Sequence, residues 1–409
     1  MKTGMKKHLF ILIIIAAYTA AACFVLFHGE LKKDEIKYHY PLVKKFEREF
    51  PNFDFTNNYS SASTPVPYMI LAALGQIVPL NIYTLRIATI ILSILTLTIF
   101  YKIVGHLDIS YKEEITLLLL FQPYYLTNSS VFYMPIWGMF FGLFSLYIFL
   151  KGKTTVQYFA AGLFSALAIL SRQYYLFLPA AYLLFCFFSK FFPGINKKED
   201  ISLTHFTALM LPHILPLVFF IFWGGISSPG FRGHEIALKP MNMVFVIILV
   251  GFYFCWSLID NFKFSRLQLL LIAFIPLFFL FLPKWSPYYG GQSISGIVMH
   301  LSDYAEHLIT FGQVIFLLLF YLLGLLIIIL RLTRFHNFTG YNTLFLFAIA
   351  FFILIMAVNV MSGERHFLSG LPFFLLWLSC LFHRKNIRIA LWVMAPFSFF
   401  YLYYYLFLA

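Results

Sequence analysis

The chain has 409 residues, of which 61 % are hydrophobic and only 11 % charged, with 53 Phe and 26 Tyr. Soluble domains carry roughly 25 % charged residues, so a water-soluble globular domain is excluded and a polytopic all-α membrane protein is predicted. The net charge of +13 would point to nucleic acid in a soluble protein, but here the basic residues lie mostly in short loops between apolar runs, where they act as orientation signals; no nucleic-acid partner is expected.

The first apolar run, 8–28, follows Lys2, Lys6 and Lys7 and meets no small-residue cleavage site before Glu30, so it reads as a retained anchor. Further runs fall at 66–80, 83–104, 114–128, 132–150, 155–171, 173–192, 205–223, 241–260, 268–283, 307–330, 341–360, 367–382 and 389–407. If every run crossed, the loops carrying Lys151/Lys153, Lys197/Lys198, Lys263/Arg266, Arg331/Arg334 and Arg384/Lys385/Arg388 would all face outward, against the positive-inside rule. If 66–80 lies on the membrane instead, all of them face the cytoplasm. This predicts about thirteen crossings, a cytoplasmic N-terminus and one membrane domain over 1–409 with a long first outer loop at 29–82. Within that loop, Ile36, His39/Tyr40, Val43, Phe46 and Phe50 recur at helical spacing opposite a basic face, which predicts a second surface-lying helix that attracts membrane lipids. The cysteines at 23, 186, 255 and 380 all lie inside apolar runs without metal-ligand spacing, so neither a disulfide nor a zinc site is expected.

With this topology four polar clusters share the outer side. They are Asp34/Glu35; Arg172-Gln173; Trp223-Gly224-Gly225 through Arg232 and His234; and Glu364-Arg365-His366. Each alone fits a helix end, a turn or a local ion pair, but their joint placement favours a site built from separate loops. Arg172, Arg365 and Lys37 would hold a lipid phosphate at the interface. A carboxylate of the acid pair would take a proton from an acceptor hydroxyl attacking an anomeric carbon from the face opposite the phosphate, which gives inversion. His39, Gln173, Trp223, Arg232, His234, Glu364 and His366 complete the substrate-binding set. Asp34 and Glu35 are adjacent and have no further oxygen ligand at defined spacing, so no metal and no cofactor are expected.

A first outer loop opening on an acidic pair resembles the GT-C glycosyltransferases. More narrowly, the chain resembles the eukaryotic family that adds the terminal α-1,2-linked glucose to the lipid-linked oligosaccharide from dolichyl-phosphate-glucose. That family opens the loop with Asp-Glu-Ile-Phe-His and Pro; here stand Asp34-Glu35-Ile36-Lys37-Tyr38-His39-Tyr40-Pro41, with one residue more before the His. Thr64-Pro65, Arg172-Gln173, Trp223-Gly224-Gly225-Ile226 with His234, and Arg365-His366 match further short pieces, the family's Asn after the Trp being absent. The resemblance implies a GT-C-like bundle, a polyprenyl-phosphate hexose donor, a glycan or lipid-linked glycan acceptor, and the first acid of the pair, Asp34, as base. A bacterial inner (cell) membrane enzyme with its active site on the outer face is the expectation. The rivals are a transporter or flippase of polyprenyl-linked sugars, which calls for polar residues and broken helices within the spans, and an envelope-polysaccharide polymerase, which calls for a large late outer loop.

Overall fold

The computed structural model describes residues 2–28, 35–53, 59, 61, 64–191, 201–226, 228, 238–259, 288–289, 292–293, 297–333, 340–358 and 364–407, the side chains of 2–8, 26–28, 288–289, 292–293, 364–365 and 407 excepted. Among them helix dominates; a two-residue pairing, Tyr288–Tyr289 with Gln292–Ser293, is the departure. Six helices are long and apolar enough to cross a membrane: Ile82–His106, Gln173–Phe191, Leu203–Trp223, Pro240–Leu258, Gly312–Thr333 and Arg384–Leu406. A seventh is reached if Pro123–Ser130 and Pro135–Lys151, bent by 110° against each other, count as one span. This is the make-up of a multi-pass membrane protein, in which helices satisfy their own backbone groups away from water.

The apolar run expected at 114–128 is not one helix. It splits into α5 (Lys112–Leu120) and α6 (Pro123–Ser130). The cause is local: Pro123 has no N–H to continue α5, and Gln122 caps α6 by accepting the Tyr125 N–H at 2.8 Å. The run at 66–80 gives α3 (Val66–Gly75), whose ten residues rise only about 15 Å, half the hydrocarbon thickness. The run at 268–283 lies outside the described residues.

The chain divides into two compact units. The first comprises residues 1–186, 200–234 and 391–409. It holds α1 (Lys2–His28), α2 (Tyr40–Glu49), α3, α4 (Ile82–His106), α5, α6, α7 (Pro135–Lys151), α8 (Thr155–Ile169), α10 (Leu203–Met210) and α11 (Ile214–Trp223), with the first part of α9 (Phe177–Phe191). Lipid gives helices little hydrophobic reason to associate, so close packing and hydrogen bonds hold them. Ser145 donates to the Ala161 carbonyl at 2.7 Å and meets the Tyr182 hydroxyl at 3.0 Å, joining α7, α8 and α9. The late segment packs on the α5–α6 break, through Ser398 donating to the Phe121 carbonyl and Tyr124 against Tyr401 at 5.0 Å.

The ends of this unit differ in character. At one end His106 contacts the Leu150 carbonyl at 3.2 Å, Lys151 lies over the Tyr147 ring, and Tyr158 stacks on His205. The other end begins at Arg86, in the first turns of the 25-residue α4, whose full rise is about 37 Å.

The second unit comprises residues 187–199 and 235–390. Its α12 (Pro240–Phe254) packs on α14 (Gly312–Thr333), which follows α13 (Ile297–Leu308); α15 (Tyr341–Ala357), the short turn α16 (Glu364–Phe367), α17 (Leu371–Leu378) and the start of α18 (Arg384–Phe407) complete it. Asn242 donates to the Met356 carbonyl at 3.0 Å, and Arg331 donates to the Trp377 carbonyl at 2.6 Å and to Asn342 at 2.9 Å. The α12–α14 contact is reciprocal: a Cβ at Gly251 would stand 1.9 Å from the Phe320 oxygen, and one at Gly324 would stand 2.0 Å from the Ile247 oxygen. Only glycine permits this approach. Gly251→Ala and Gly324→Ala are each expected to lose about 1–3 kcal/mol by forcing the helices apart. Thermal unfolding in detergent checks this, with Gly225→Ala as control because a Cβ there meets nothing within 4 Å; an unchanged melting temperature for Gly251→Ala would contradict the contact.

Candidate functional site

The site gathers at the Arg86 end of the first unit. Glu35 opens a π-helical turn, Glu35–His39, that runs directly into α2. The wider π turn shifts the register from the expected face. Ile36 and Phe50 are exposed, while Glu35, His39, Leu42, Val43 and Phe46 face inward.

Glu35 is 1 % exposed and Arg86 is 0 % exposed. Arg86 donates from Nε to Glu35 Oε1 at 3.0 Å and from Nη2 to Oε2 at 2.6 Å, a bidentate pair. Its Nη1 donates to the Val25 carbonyl at 3.0 Å, and the Phe132 N–H donates to Glu35 Oε1 at 2.7 Å. One ion pair thus joins the end of α1, the π turn, α4 and the α6–α7 break. Glu35 is therefore engaged by Arg86.

His39 sits one turn further on, buried, with Nδ1 and the Tyr68 hydroxyl sharing a hydrogen bond of 2.7 Å. Its ring meets the edge of Tyr133 at 5.3 Å. Tyr59 stacks on Trp223 at 5.7 Å, and Ser228 donates to the Ser61 carbonyl at 2.9 Å, so the loop after α2 is tied to the end of α11. Burial, then the neighbouring Tyr68, push the Tyr59 phenol well above its usual pKa; the Ser61 hydrogen bond and the nearby positive charge of Arg172 act in the opposite sense.

Arg172 is extended between α8 and the 3₁₀ turn Gln173–Leu176. The turn is seated by Tyr175, whose ring fits only because α7 carries Gly138 and Gly142; a Cβ there would come within 2.7 and 2.6 Å of it. The Arg172 guanidinium carbon lies 5.6 Å from the Tyr133 ring centroid. Its Nε is buried and has no hydrogen-bond partner among the described residues. Gln173 donates to the Ile226 carbonyl at 3.3 Å, so the Arg172-Gln173 and Trp223-to-Ile226 segments do meet.

Lys37 is exposed and lies over the ring of Tyr38. On α2, Lys44 pairs with Glu47 at 2.6 Å and Lys45 with Glu49 at 3.7 Å, which reduces the basic face expected to attract lipid. His366 is buried in the second unit. Asp34, Arg232 and His234, and the side chains of Glu364 and Arg365, lie outside the described residues. Among the described residues no group of three or more His, Cys, Asp or Glu is placed to hold a metal ion.

No protein-family model, no curated protein and no solved structure matches this chain. The reading of the site rests on its own residues.

Arg86, Tyr68, Tyr59 and Tyr133 were not singled out as site residues from sequence. Arg86 carried the clearest signal, a charge near the start of an apolar run, which calls for a buried partner. Arg86→Leu leaves Glu35 buried without its counter-charge, and a stability loss of roughly 3–5 kcal/mol is expected. The double variant Arg86→Leu/Glu35→Leu should recover much of that loss, less the cost of the bared Phe132 N–H. Thermal unfolding of the purified variants checks both; a wild-type melting temperature for the single variant would remove the pair from its holding role.

Proposed function

We propose that this chain is a membrane glycosyltransferase that moves a hexose from a polyprenyl-phosphate donor to a glycan or lipid-linked acceptor, with inversion. The observation that carries the reading is Arg172: a half-buried guanidinium at the end of the bundle, beside the Tyr133 ring and near Tyr59, with a buried N–H that has no partner among the described residues. It joins the segment that follows Asp34 at the same end, through His39 against Tyr133. In this reading Arg172 holds the donor phosphate and Asp34 is the base. The acceptor O–H proton passes to Asp34, the acceptor oxygen bonds the anomeric carbon, and the bond from that carbon to the phosphate oxygen breaks. The polyprenyl phosphate leaves with the electron pair, and its added negative charge is stabilised by Arg172. Arg365 and Lys37 remain proposed as further phosphate contacts.

The proposed topology keeps about thirteen crossings, a cytoplasmic N-terminus and the site on the outer face of the cell membrane. Its support in the first unit is that Lys151 and the Glu35–Arg86 pair stand toward opposite ends of α4. A second reading, a carrier of polyprenyl-linked sugars, is favoured by the bent α6–α7 pair, since broken spans mark carrier binding sites.

Purified protein should release polyprenyl phosphate from polyprenyl-phosphate-glucose when acceptor is present. Asp34→Asn should lower turnover by about 10²–10⁴ while donor still binds. Arg172→Ala should weaken donor binding and turnover, and Arg172→Lys should restore only part, because the ammonium lacks the planar fork. Full turnover in both Asp34→Asn and Arg172→Ala would remove the two residues from the mechanism, and vectorial movement of intact glycolipid without transfer would replace the enzyme reading with the carrier one. Reporter fusions after residues 153, 334 and 388 should read cytoplasmic and those after 50 and 235 outside; a cytoplasmic signal at 235 would break the shared outer face.

A further inference from the structure

The helix α6 is an unusual object for the inside of a membrane protein. All eight of its residues, Pro123–Ser130, are buried, and its last four, Thr127, Asn128, Ser129 and Ser130, are polar. Ser129 and Ser130 both donate to the Leu126 carbonyl at 2.8 Å and are satisfied. Thr127 Oγ1 and Asn128 Nδ2 have no partner among the described residues, although these residues are 1 % and 6 % exposed. At the start of the helix Gln122 uses its oxygen as the cap and leaves its amide nitrogen unused. Bare polar groups in a dry bundle are costly, and so many on one short helix call for a polar occupant.

The unused groups also indicate what kind of occupant fits. They are amides and a hydroxyl, with no charge among them. Such groups suit hydroxyls, which both donate and accept, better than an ion, which needs charge-assisted partners. Tyr18 adds a phenol beside Ser93, Tyr125 and Ser129. The position is equally specific. Asn128 stands four residues before Phe132, whose N–H binds Glu35, and five before Tyr133, which lies under Arg172.

We infer that α6 carries a subsite for a neutral, hydroxyl-rich ring, the hexose of the donor, held by Thr127 and Asn128 while Arg172 takes the phosphate. The inference rests on the donor reading proposed above and adds to it the place of the sugar. The bend between α6 and α7 then has a role: it turns the polar end of α6 toward the segment that carries Phe132 and Tyr133.

The test uses the full-length protein in detergent with three probes: sugar-free polyprenyl phosphate, polyprenyl-phosphate-glucose and polyprenyl-phosphate-mannose. Dissociation constants are measured for wild type, Thr127→Val, Asn128→Leu and Arg172→Ala. Asn128→Leu should weaken at least one glycosylated lipid about tenfold or more and leave the sugar-free lipid unchanged, while Arg172→Ala weakens all three. The unliganded Asn128→Leu protein should melt no lower than wild type, since an unpaired buried amide has been replaced by an apolar group of similar size; this separates lost sugar contacts from misfolding. Glycosylated lipids bound as tightly by Asn128→Leu and Thr127→Val as by wild type would mean that the groups hold water only, and would overturn the subsite while leaving the donor reading intact. Failure of all three probes to bind wild type would overturn the donor reading and the subsite with it.

Discussion

A carboxylate and a guanidinium that have both left water fix the geometry of the first unit at the end that carries the candidate site. Neither Glu35 nor Arg86 could be buried alone, since an uncompensated charge inside a protein costs several kcal/mol. Together they are satisfied by each other, by the Val25 carbonyl and by the Phe132 N–H. The consequence is positional. The end of α1, the π turn, α4 and the α6–α7 break meet at one point. Asp34 is one residue from that point along the chain and His39 one turn from it, so the pair sets where both can be. The Tyr133 ring, which contacts His39 and Arg172, hangs from the same junction.

The rest of the packing answers a different constraint. Helices in lipid gain little from burying apolar side chains against each other, so they rely on close backbone approach and on hydrogen bonds. Gly162 shows this in the first unit, where a Cβ would stand 2.1 Å from the Leu209 oxygen, as Gly251 and Gly324 do in the second. The α5–α6 break frees backbone groups that lipid cannot satisfy. The Phe121 carbonyl is taken by Ser398, and the Gln122 side chain caps the helix that follows. The late segment thereby covers a place where helical bonding lapses.

The membrane class was legible from composition because lipid imposes long uncharged runs, and most long runs became helices near their expected bounds. The meeting of Arg172-Gln173 with Trp223-to-Ile226 was legible from charge alternation, which places helix ends on sides. The partners were not. Glu35 reaches Arg86 and Phe132 across 51 and 97 residues, and no periodicity encodes such a pairing. The run at 114–128 misled because hydropathy averages over Gln122-Pro123, whose effect on the backbone is local and decisive. The lysines of α2 were read as a lipid-facing set because spacing alone does not reveal that Glu47 and Glu49 take both of them.

The same break that fits a carrier also bears against one. A carrier must let its binding element move relative to its surroundings so that the site opens to each side in turn. Here the α6–α7 break is held from two directions. Phe132 is bonded to the buried Glu35, and Phe121, at the other end of α6, is bonded to Ser398. Releasing the first contact would strip a hydrogen bond from the buried Glu35 carboxylate and leave the Phe132 N–H bare. A bend anchored in this way suits a fixed pocket better than a moving gate. A fixed pocket is also what in-line displacement requires, because the base, the anomeric carbon and the departing phosphate must be held in register while the bonds change. On that ground the tethered break weighs toward a transferase, in which polar residues inside the bundle orient a sugar rather than pass it through.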